Sequence, residues 1–483
     1  MAYHPDRMEP TPPPADPLPR VLGPWLAGAI VVGTVIGTGV FKKGRAVSEA
    51  VPESGYGVLA WVVVGLLTLC GAMALAEVAS LFPRAGGNYV FLREAYGRAF
   101  GFMWGWVEFW FLRCASCAAV ATIFAESLHD VLKRAKGTDA EVLGFWDRQA
   151  VAAGVITLLG LLAARGTKLG AGVQLVVTSV KITSLLVIAV LPGVVLAVVT
   201  DPPVRPSVAN LEPVWGGFDL SAFAVAMVAV LWPYNGWTNV APIAGEVRDP
   251  QRNIPRAFVG GVGVLVLVYV SVNLSYYLTI PAREMATLKD TPVAAEVCRR
   301  LLGPVGLLAA SAAIMLSVFG TIAGNLLVGP RGVFALSRDG LAPGVFGRVH
   351  RRYETPHTAI LLMTAVTVGF IYAVAAYTTL RPPAAGDKPP FDVLTDFVVF
   401  GAGVFELLAV GTIYVFRYRH PELTAKLPFR CPGYPVVPAL FLLPMVAVYL
   451  NMLATPSSRT EAVAGCAFIA AGAVLYAAVY RQR

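Results

Sequence analysis

The stretch GTVIGTG at residues 33–39 puts three glycines into seven positions of an apolar run. A second stretch, WPYNGWTNVAP at residues 232–242, puts two prolines, one glycine and two asparagines into another apolar run. Glycine in a helix interior costs about 1 kcal/mol relative to alanine, and proline removes a hydrogen bond of the helix backbone. We therefore predict two helices that unwind near their centres.

The rest of the sequence is typical of a polytopic membrane protein. Of the 483 residues, 57% are hydrophobic and 14% are charged, and the mean hydropathy is +0.67. Apolar runs of about 20 residues recur along the chain, and each is long enough to cross a hydrocarbon core of about 30 Å. We predict an all-α fold with twelve spans, numbered 1 to 12, near residues 21–41, 57–82, 99–128, 149–164, 171–199, 219–245, 255–280, 303–336, 357–378, 391–417, 435–454 and 461–480.

The charge distribution predicts the orientation in the membrane. Twelve spans place both termini on one face. Lys and Arg are in modest excess in the connectors on that face, for example Arg248, Arg252 and Arg256 after span 6, so the positive-inside rule makes it cytoplasmic. Residues 1–20 are rich in proline and mixed in charge, which indicates a disordered cytoplasmic tail and not a signal peptide. We expect a multi-pass protein of the plasma (inner) membrane.

The two predicted breaks indicate a binding site. Unwound backbone at membrane depth is tolerated only where it meets protein, water or a polar ligand. Residues 21–200 and residues 219–417 each contain five predicted spans, and in each segment the break falls in the first span. This arrangement is typical of transporters with inverted repeats. We predict two inverted five-span repeats, with residues 435–480 added outside them. The alternatives are a kink without function and, for Gly33 with Gly37, close helix packing.

Three charged residues are predicted at membrane depth. Lys181 lies about ten residues into span 5, near the bilayer centre, where its ammonium must face the bundle interior and meet carbonyls or hydroxyls. Its role is either that of a cation beside the broken helix or that of a structural donor. Glu108 and Arg113 in span 3 are one residue too far apart for a same-face pair on an α-helix. We expect each to bind a partner on a neighbouring helix, and we favour a structural role over a gating role.

Glu77, near the end of span 2, and Glu406, within span 10, are weaker candidates for functional charges in the membrane. We predict that they are structural or line a cavity. Enzyme chemistry is not indicated, because all five histidines lie in loops or at helix ends, and no catalytic triad, metal-spaced cluster or paired-carboxylate motif falls at membrane depth. The six cysteines are scattered and predicted to be packing thiols. Lys and Arg occupy short connectors and form no single basic face, so nucleic acid is not an expected partner. We expect no cofactor and no metal.

Several segments resemble a known family. GTVIGTGVF at residues 33–41 resembles the unwound first helix of the amino acid-polyamine-organocation superfamily. Further segments are similar to the L-type amino acid transporter family, in its prokaryotic form: LAEVASLFPRAGGNYVFLREAYG (75–97), WVEFWFLR (106–113), VQLVVTSVK (173–181), LWPYNGWTNVAPIAGEVRDPQRNIPRA (231–257) and FRYRHPEL (416–423). The resemblance implies a LeuT-like fold with discontinuous helices 1 and 6. It also implies sodium-independent amino acid transport, commonly by exchange.

The resemblance also implies site residues. Thr38 and Gly39 are expected to offer a hydroxyl and a backbone N–H to the substrate carboxylate, and the carbonyls of Val35, Trp232 and Asn235 to receive its ammonium. This division agrees with the positive and negative ends of half-helices. Lys181 matches a lysine that replaces a sodium ion between spans 1 and 8, and Trp232 matches an aromatic gate, with a core or interfacial Trp as the alternative. The predicted substrate-binding set is Val35, Ile36, Gly37, Thr38, Gly39, Trp232, Asn235 and Thr238.

The sequence departs from the family pattern in two places. Residues 129–149 contain no cysteine of the kind that bonds to a heavy chain in eukaryotic relatives, so no disulfide-linked partner is expected. Asn235 stands where relatives often have glycine, and Thr238 where many have asparagine, which indicates a narrower or differently polar pocket.

The predicted function is exchange of neutral L-amino acids across the plasma membrane. The neutral preference depends on the absence of an obvious acid beside the two breaks, although Glu108 or Glu246 could approach them. The alternatives are proton-coupled symport, with Lys181 or a carboxylate as the titrating group, cationic amino acid uptake, and an amino acid sensor without transport.

Overall fold

Helices form nearly all of the regular structure in the computed structural model, which describes residues 18–136, 140–200, 204–288, 291–380 and 390–480. In these ranges the only β-type pairing is one isolated bridge, between Leu22 and Val247. The α-helices are Pro24–Val35, Gly39–Lys42, Gly44–Ala50, Ser54–Leu81, Asn88–Tyr96, Arg98–Val107, Ser116–Ala135, Phe145–Ala164, Thr167–Val198, Leu220–Tyr234, Pro250–Thr279, Ala282–Ala286, Val293–Val328, Pro330–Arg338, His357–Leu380, Pro390–Arg419, Pro421–Ala425, Val436–Ala454 and Pro456–Val479. A π-helix covers Glu108–Ala115, and 3-10 helices cover Val208–Leu211, Ala241–Glu246 and Gly344–Gly347.

Eleven stretches of the described chain are long and apolar enough to cross a membrane, and one shorter apolar helix, Leu220–Tyr234, completes the twelve predicted spans. The fold class is therefore confirmed. In chain order the spans are Pro24–Lys42, Ser54–Leu81, Arg98–Lys133, Phe145–Ala164, Gly172–Val198, Leu220–Tyr234, Pro250–Thr279, Val293–Arg338, His357–Leu380, Thr395–Arg419, Val436–Ala454 and Ser458–Val479.

Some predicted boundaries need correction. Span 6 was predicted over residues 219–245 with a break near its centre, and its α-helix covers only the part before that break, Leu220–Tyr234. Span 8 begins at Val293, ten residues before the predicted start, and carries a kink at Gly303 (φ 65°, ψ −150°). Residues 1–17 of the predicted tail lie outside the described residues, and the division into repeats stays a prediction.

The spans pack in two groups joined by span 5. Spans 1 and 2 each contact spans 6 and 7, and spans 3, 4, 8 and 9 form a second group. Span 5 touches spans 1, 7 and 8. Large apolar side chains remain exposed on the outer spans, for example Val190 on span 5 and Leu443 on span 11, as expected where helices face lipid. Span 1 is thereby surrounded by helices from both groups.

Two backbone hydrogen bonds join the start of span 1 to the end of span 6. The amide of Leu22 donates to the carbonyl of Glu246 (2.9 Å), and the amide of Arg248 donates to the carbonyl of Leu22 (2.8 Å). These contacts place the two broken spans side by side on the face that carries the chain termini.

Candidate binding site

Span 1 is interrupted where its glycines predict. Its first α-helix ends at Val35, residues 36–38 form no helix, and helical structure resumes at Gly39. A Cβ atom at Gly39 would lie 2.8 Å from Cα of Pro233 in span 6. The backbone of span 1 therefore approaches span 6 at the break, and only glycine permits that distance.

Span 6 is interrupted at the corresponding place. Its α-helix ends at Tyr234, residues 235–240 form turns, and a 3-10 helix follows at Ala241–Glu246. Gly236 has φ 95°, a backbone conformation that side chains other than glycine rarely adopt. The α-helix cannot continue through this residue, and the break lies within residues 232–242, where the sequence predicts it.

Tyr269 of span 7 joins the two breaks. Its hydroxyl lies 3.3 Å from the carbonyl oxygen of Val35 and 3.1 Å from that of Pro233. Both carbonyls belong to helix ends that have lost their intrahelical partners. The sequence analysis did not identify Tyr269, because an isolated tyrosine in an apolar span has no distinctive pattern.

A cavity lies between the breaks, and its free space of about 40 Å³ holds about three water molecules. A larger molecule enters only when the walls move apart. A second small cavity shares Asn235 and Glu406 with the first. The first cavity is lined by Thr34, Val35, Gly37, Thr38, Gly39, Leu112, Arg113, Ser116, Val120, Trp232, Asn235, Gly236, Thr238, Asn239, Thr321, Asn325 and Glu406.

Seven of the eight predicted substrate-binding residues line this cavity. The exception is Ile36, whose carbonyl faces span 5 and span 8. Polar lining residues outside the predicted set are Thr34, Ser116, Asn239, Thr321 and Asn325. For Ser116, Thr321 and Asn325 the only signal is a polar side chain in an apolar span, which does not show the face on which that side chain lies.

Thr38 presents an unused hydroxyl to the cavity. Its side chain is 2% exposed, and Oγ1 has no hydrogen-bond partner among the described residues. Buried polar atoms in folded proteins nearly always have a partner, so an exception at a cavity wall indicates a place for a bound polar group. Thr34, one turn earlier, instead donates its hydroxyl to the carbonyl of Ile30 (2.7 Å).

Lys181 lies between spans 1, 5 and 8. Its ammonium donates to the carbonyls of Gly33 (2.7 Å) and Ile36 (2.6 Å) and to Oγ1 of Thr321 (2.9 Å). The side chain is 1% exposed and does not line the cavity. Three short contacts to oxygen atoms offset part of the desolvation cost of a buried ammonium.

Two glycines allow spans 1 and 8 to pack closely against span 5 near Lys181. A Cβ atom at Gly33 would lie 1.9 Å from Oγ1 of Thr178, and one at Gly320 would lie 2.9 Å from Cε of Lys181. Spans 1 and 8 can therefore approach span 5 closely only with glycine at these positions. Gly33 permits close helix packing, whereas residues 36–38 are unwound. The two interpretations of the glycine motif, close packing and a break in the helix, therefore apply to different residues.

Glu108 and Arg113 bind each other, and Arg113 also has the predicted partner on a neighbouring helix, Asn325 of span 8. Two nitrogens of Arg113, Nη2 (2.6 Å) and Nε (3.2 Å), donate to Oε1 of Glu108. The segment Glu108–Ala115 is a π-helix, in which residues five apart are joined by one turn. Arg113 also donates to Oδ1 of Asn325 (2.9 Å) and lines the cavity, whereas Glu108 does not.

Glu406 of span 10 is the acid that the sequence analysis did not place at the breaks. Its buried side chain lines both cavities and accepts a hydrogen bond from the indole of Trp237 (3.3 Å). No salt bridge joins it to another described residue, whereas Arg113 is neutralised by Glu108. The cavity wall therefore carries one uncompensated carboxyl group, and the argument for neutral substrates loses its basis.

Two other buried acids, Glu246 and Glu77, form ion pairs away from the cavity. Arg331 donates to both carboxylate oxygens of Glu246, at 2.8 and 3.2 Å. Glu77 accepts two hydrogen bonds from Arg417, at 2.6 and 2.8 Å, and one from the amide of Cys431, at 2.6 Å. Among the described residues, no group of three or more His, Cys, Asp or Glu side chains could hold a metal ion.

Comparison with known proteins agrees with this architecture. The serine/threonine exchanger of Bacillus subtilis (strain 168) is 27% identical over 88% of this chain and 89% of its own length. The cystine/glutamate transporter of Homo sapiens is 28% identical over 86% of this chain and 76% of its own length. The b(0,+)-type amino acid transporter 1 of Homo sapiens is 26% identical over 95% of this chain and 88% of its own length.

A profile described as amino acid permease matches residues 22–478, from the start of span 1 to span 12. The match covers both broken spans, Lys181 and every residue of the cavity wall. Proteins of this profile are transporters and not enzymes. The chain is a multi-pass membrane protein that belongs to the amino acid permease family, within the amino acid-polyamine-organocation superfamily.

Proposed function

We propose that this protein exchanges L-amino acids across the plasma membrane without sodium, with both termini in the cytoplasm. The observation that supports sodium independence is the position of Lys181. Carbonyls at the ends of interrupted helices are groups that bind coupling cations in transporters. Here the carbonyls of Gly33 and Ile36 already accept hydrogen bonds from an ammonium, so a built-in cation occupies the place of a soluble one.

The substrate would bind across the two breaks as a zwitterion. The free hydroxyl of Thr38 and the N–H groups where span 1 resumes suit a carboxylate. Carbonyls at the end of the span 6 helix suit an ammonium. The carbonyl of Val35 accepts a hydrogen bond from the hydroxyl of Tyr269, and a carbonyl oxygen has two lone pairs, so it can accept another from the substrate.

Counterflow in proteoliposomes tests this proposal. We expect uptake of a radiolabelled L-amino acid to be stimulated by internal amino acid, and to be equal in sodium-containing and sodium-free buffer. Uptake that needs no internal substrate and rises with an inward proton gradient would refute exchange in favour of proton symport. Substrate binding without any uptake would indicate a sensor.

Replacing Thr38 by valine should weaken substrate binding. A hydrogen bond to a charged group contributes about 1.5–3 kcal/mol, so we expect apparent affinity to fall by about 10-fold to 100-fold, measured as the KM for counterflow. Thr34→Val is the matched control, because the Thr34 hydroxyl is already used within its own helix. Equal losses in both variants would contradict a substrate contact at Thr38.

A second candidate function is uptake of cationic amino acids, and Glu406 favours it. A buried carboxylate without an opposite charge is costly, and a substrate ammonium or guanidinium in the cavity would compensate it. Glu406→Gln should then lower counterflow of lysine or arginine relative to leucine by at least about 10-fold, since the lost contact is worth about 1.5–3 kcal/mol. An unchanged ratio would leave neutral amino acids as the proposed substrates.

A further inference from the structure

A groove that the transport proposal does not use lies on the face that carries the chain termini. It has a volume of about 540 Å³, and its walls are the start of span 7 and the connector between spans 10 and 11. The start of span 7 and the connector lie on the same face of the membrane, because each follows an even-numbered span. The lining residues are Gln251, Arg252, Pro255, Arg256, Val259, Gly260, Pro428 and Phe429.

The groove lies at the depth of the lipid headgroups. Span 7 is a 30-residue helix, Pro250–Thr279, so its length is about 45 Å, whereas the hydrocarbon core is about 30 Å thick. The first turns of span 7 therefore extend beyond the hydrocarbon into the headgroup layer. Arg252 and Arg256 lie in these turns, one turn apart on the same side of the helix.

The charges that line the groove are all positive. Both Arg252 and Arg256 are exposed, and neither guanidinium makes an ion pair or side-chain hydrogen bond within the described chain. Lys426 and Arg430 are exposed beside Pro428 and Phe429 and extend the basic surface. Two unpaired guanidinium groups therefore lie on a concave, mostly apolar surface. They suit a phosphate group better than a protein carboxylate, because phosphate offers more acceptor oxygens to the planar fork of each Arg.

The second wall of the groove is held in place by buried contacts. The amide of Cys431, two residues after Phe429, donates to Glu77, which also pairs with Arg417. The guanidinium of Arg417 in turn lies 4.0 Å from the ring centroid of Tyr434. The connector is therefore anchored to spans 2 and 10, and the groove exists before any ligand binds.

An apolar surface continues from the groove towards the bilayer centre. Gly260, Val264, Leu267 and Leu274 are exposed along one side of span 7, and Leu267 is 71% exposed. Their spacing of three to seven residues places them in one stripe. A Cβ atom at Gly260 would contact no other atom within 4 Å, so the groove opens freely onto this stripe. A ligand with an anionic head and an apolar tail fits both parts.

We propose that the groove binds one anionic phospholipid, with its headgroup phosphate on Arg252 and Arg256 and an acyl chain along the stripe from Gly260 to Leu274. Basic pockets on the cytoplasmic side of transporters suit such headgroups, and each surface Arg contributes a preference of about fivefold. Two arginines give about 25-fold preference for an anionic over a zwitterionic lipid. This site is independent of the amino acid cavity.

Native mass spectrometry of the full chain in detergent tests the proposal, with phosphatidylglycerol and phosphatidylcholine as competing probes. We expect one phosphatidylglycerol to be retained preferentially, and R252Q/R256Q to remove most of the preference. Gly260→Leu should also reduce retention, because the new side chain fills the mouth of the stripe while leaving both arginines in place. Since leucine is a better helix former than glycine, this variant should fold.

Matched controls make the outcomes decisive. R348Q/R351Q removes the same charge from exposed positions on the same face, and Gly154→Leu changes an exposed glycine of span 4 that has open space around it. Both controls should retain the lipid preference. Equal loss in the arginine control pair, an unchanged preference in R252Q/R256Q, or equal displacement of the lipid by inorganic phosphate would overturn the proposal.

Discussion

Lys181→Met is expected to reduce amino acid exchange by at least about 100-fold. Methionine has a similar length but donates no hydrogen bond, so the carbonyls of Gly33 and Ile36 lose a charged donor at 2.7 and 2.6 Å. The Ile36 carbonyl keeps only the neutral hydroxyl donors of Ser317 and Thr321. Each hydrogen bond to a charged group contributes about 1.5–3 kcal/mol, and here the loss of two such bonds falls on the segment that forms the cavity wall. The measurement is the initial rate of counterflow in proteoliposomes with equal amounts of inserted protein.

A graded control separates the role of the cation from general damage. Thr321→Val removes the third oxygen contacted by Lys181 and keeps both carbonyl contacts, so we expect a loss of about 10-fold, corresponding to one hydrogen bond to a charged group. Counterflow by Lys181→Met at the wild-type rate would refute the proposed replacement of a coupling cation. Substrate-induced thermal stabilisation, measured in parallel, shows whether the variant is folded.

The interrupted helices were predictable because their sequences break local rules. Glycine and proline at that density in spans 1 and 6 are unfavourable in any helix, whatever the tertiary surroundings. The depth of Lys181 in the membrane was equally predictable, since depth follows from counting residues along a helix. Such arguments need only the sequence near each residue and the thickness of the bilayer.

Contacts between distant segments could not be predicted in this way. Glu406 lies about 170 residues after the break in span 6, and nothing in span 10 indicates which of its faces meets the cavity. The pairing of Glu108 with Arg113 depends on a π-helix, which brings together residues five apart. An α-helical spacing rule applied to that segment misses this pair, and only the packing around span 3 determines the local winding.

Arg331→Met is expected to destabilise the fold by about 3–5 kcal/mol, because removing one partner of a buried ion pair leaves an uncompensated charge. Arg331 and Glu246 are both 0% exposed, and Glu246 belongs to the segment that is hydrogen bonded to Leu22 at the start of span 1. The loss should therefore appear in the free energy of unfolding, measured by denaturant titration in mixed micelles.

The double variant E246Q/R331M should recover more than half of that loss, because no unpaired charge then remains in the interior. Arg148→Met is the matched control: Arg148 pairs with Glu141, whose side chain is 62% exposed, and partly exposed pairs contribute about 1 kcal/mol or less. If the double variant is as unstable as Arg331→Met, the guanidinium stabilises the protein through its packing and its contact with the carbonyl of Leu327, and charge compensation is not the reason that this pair is buried.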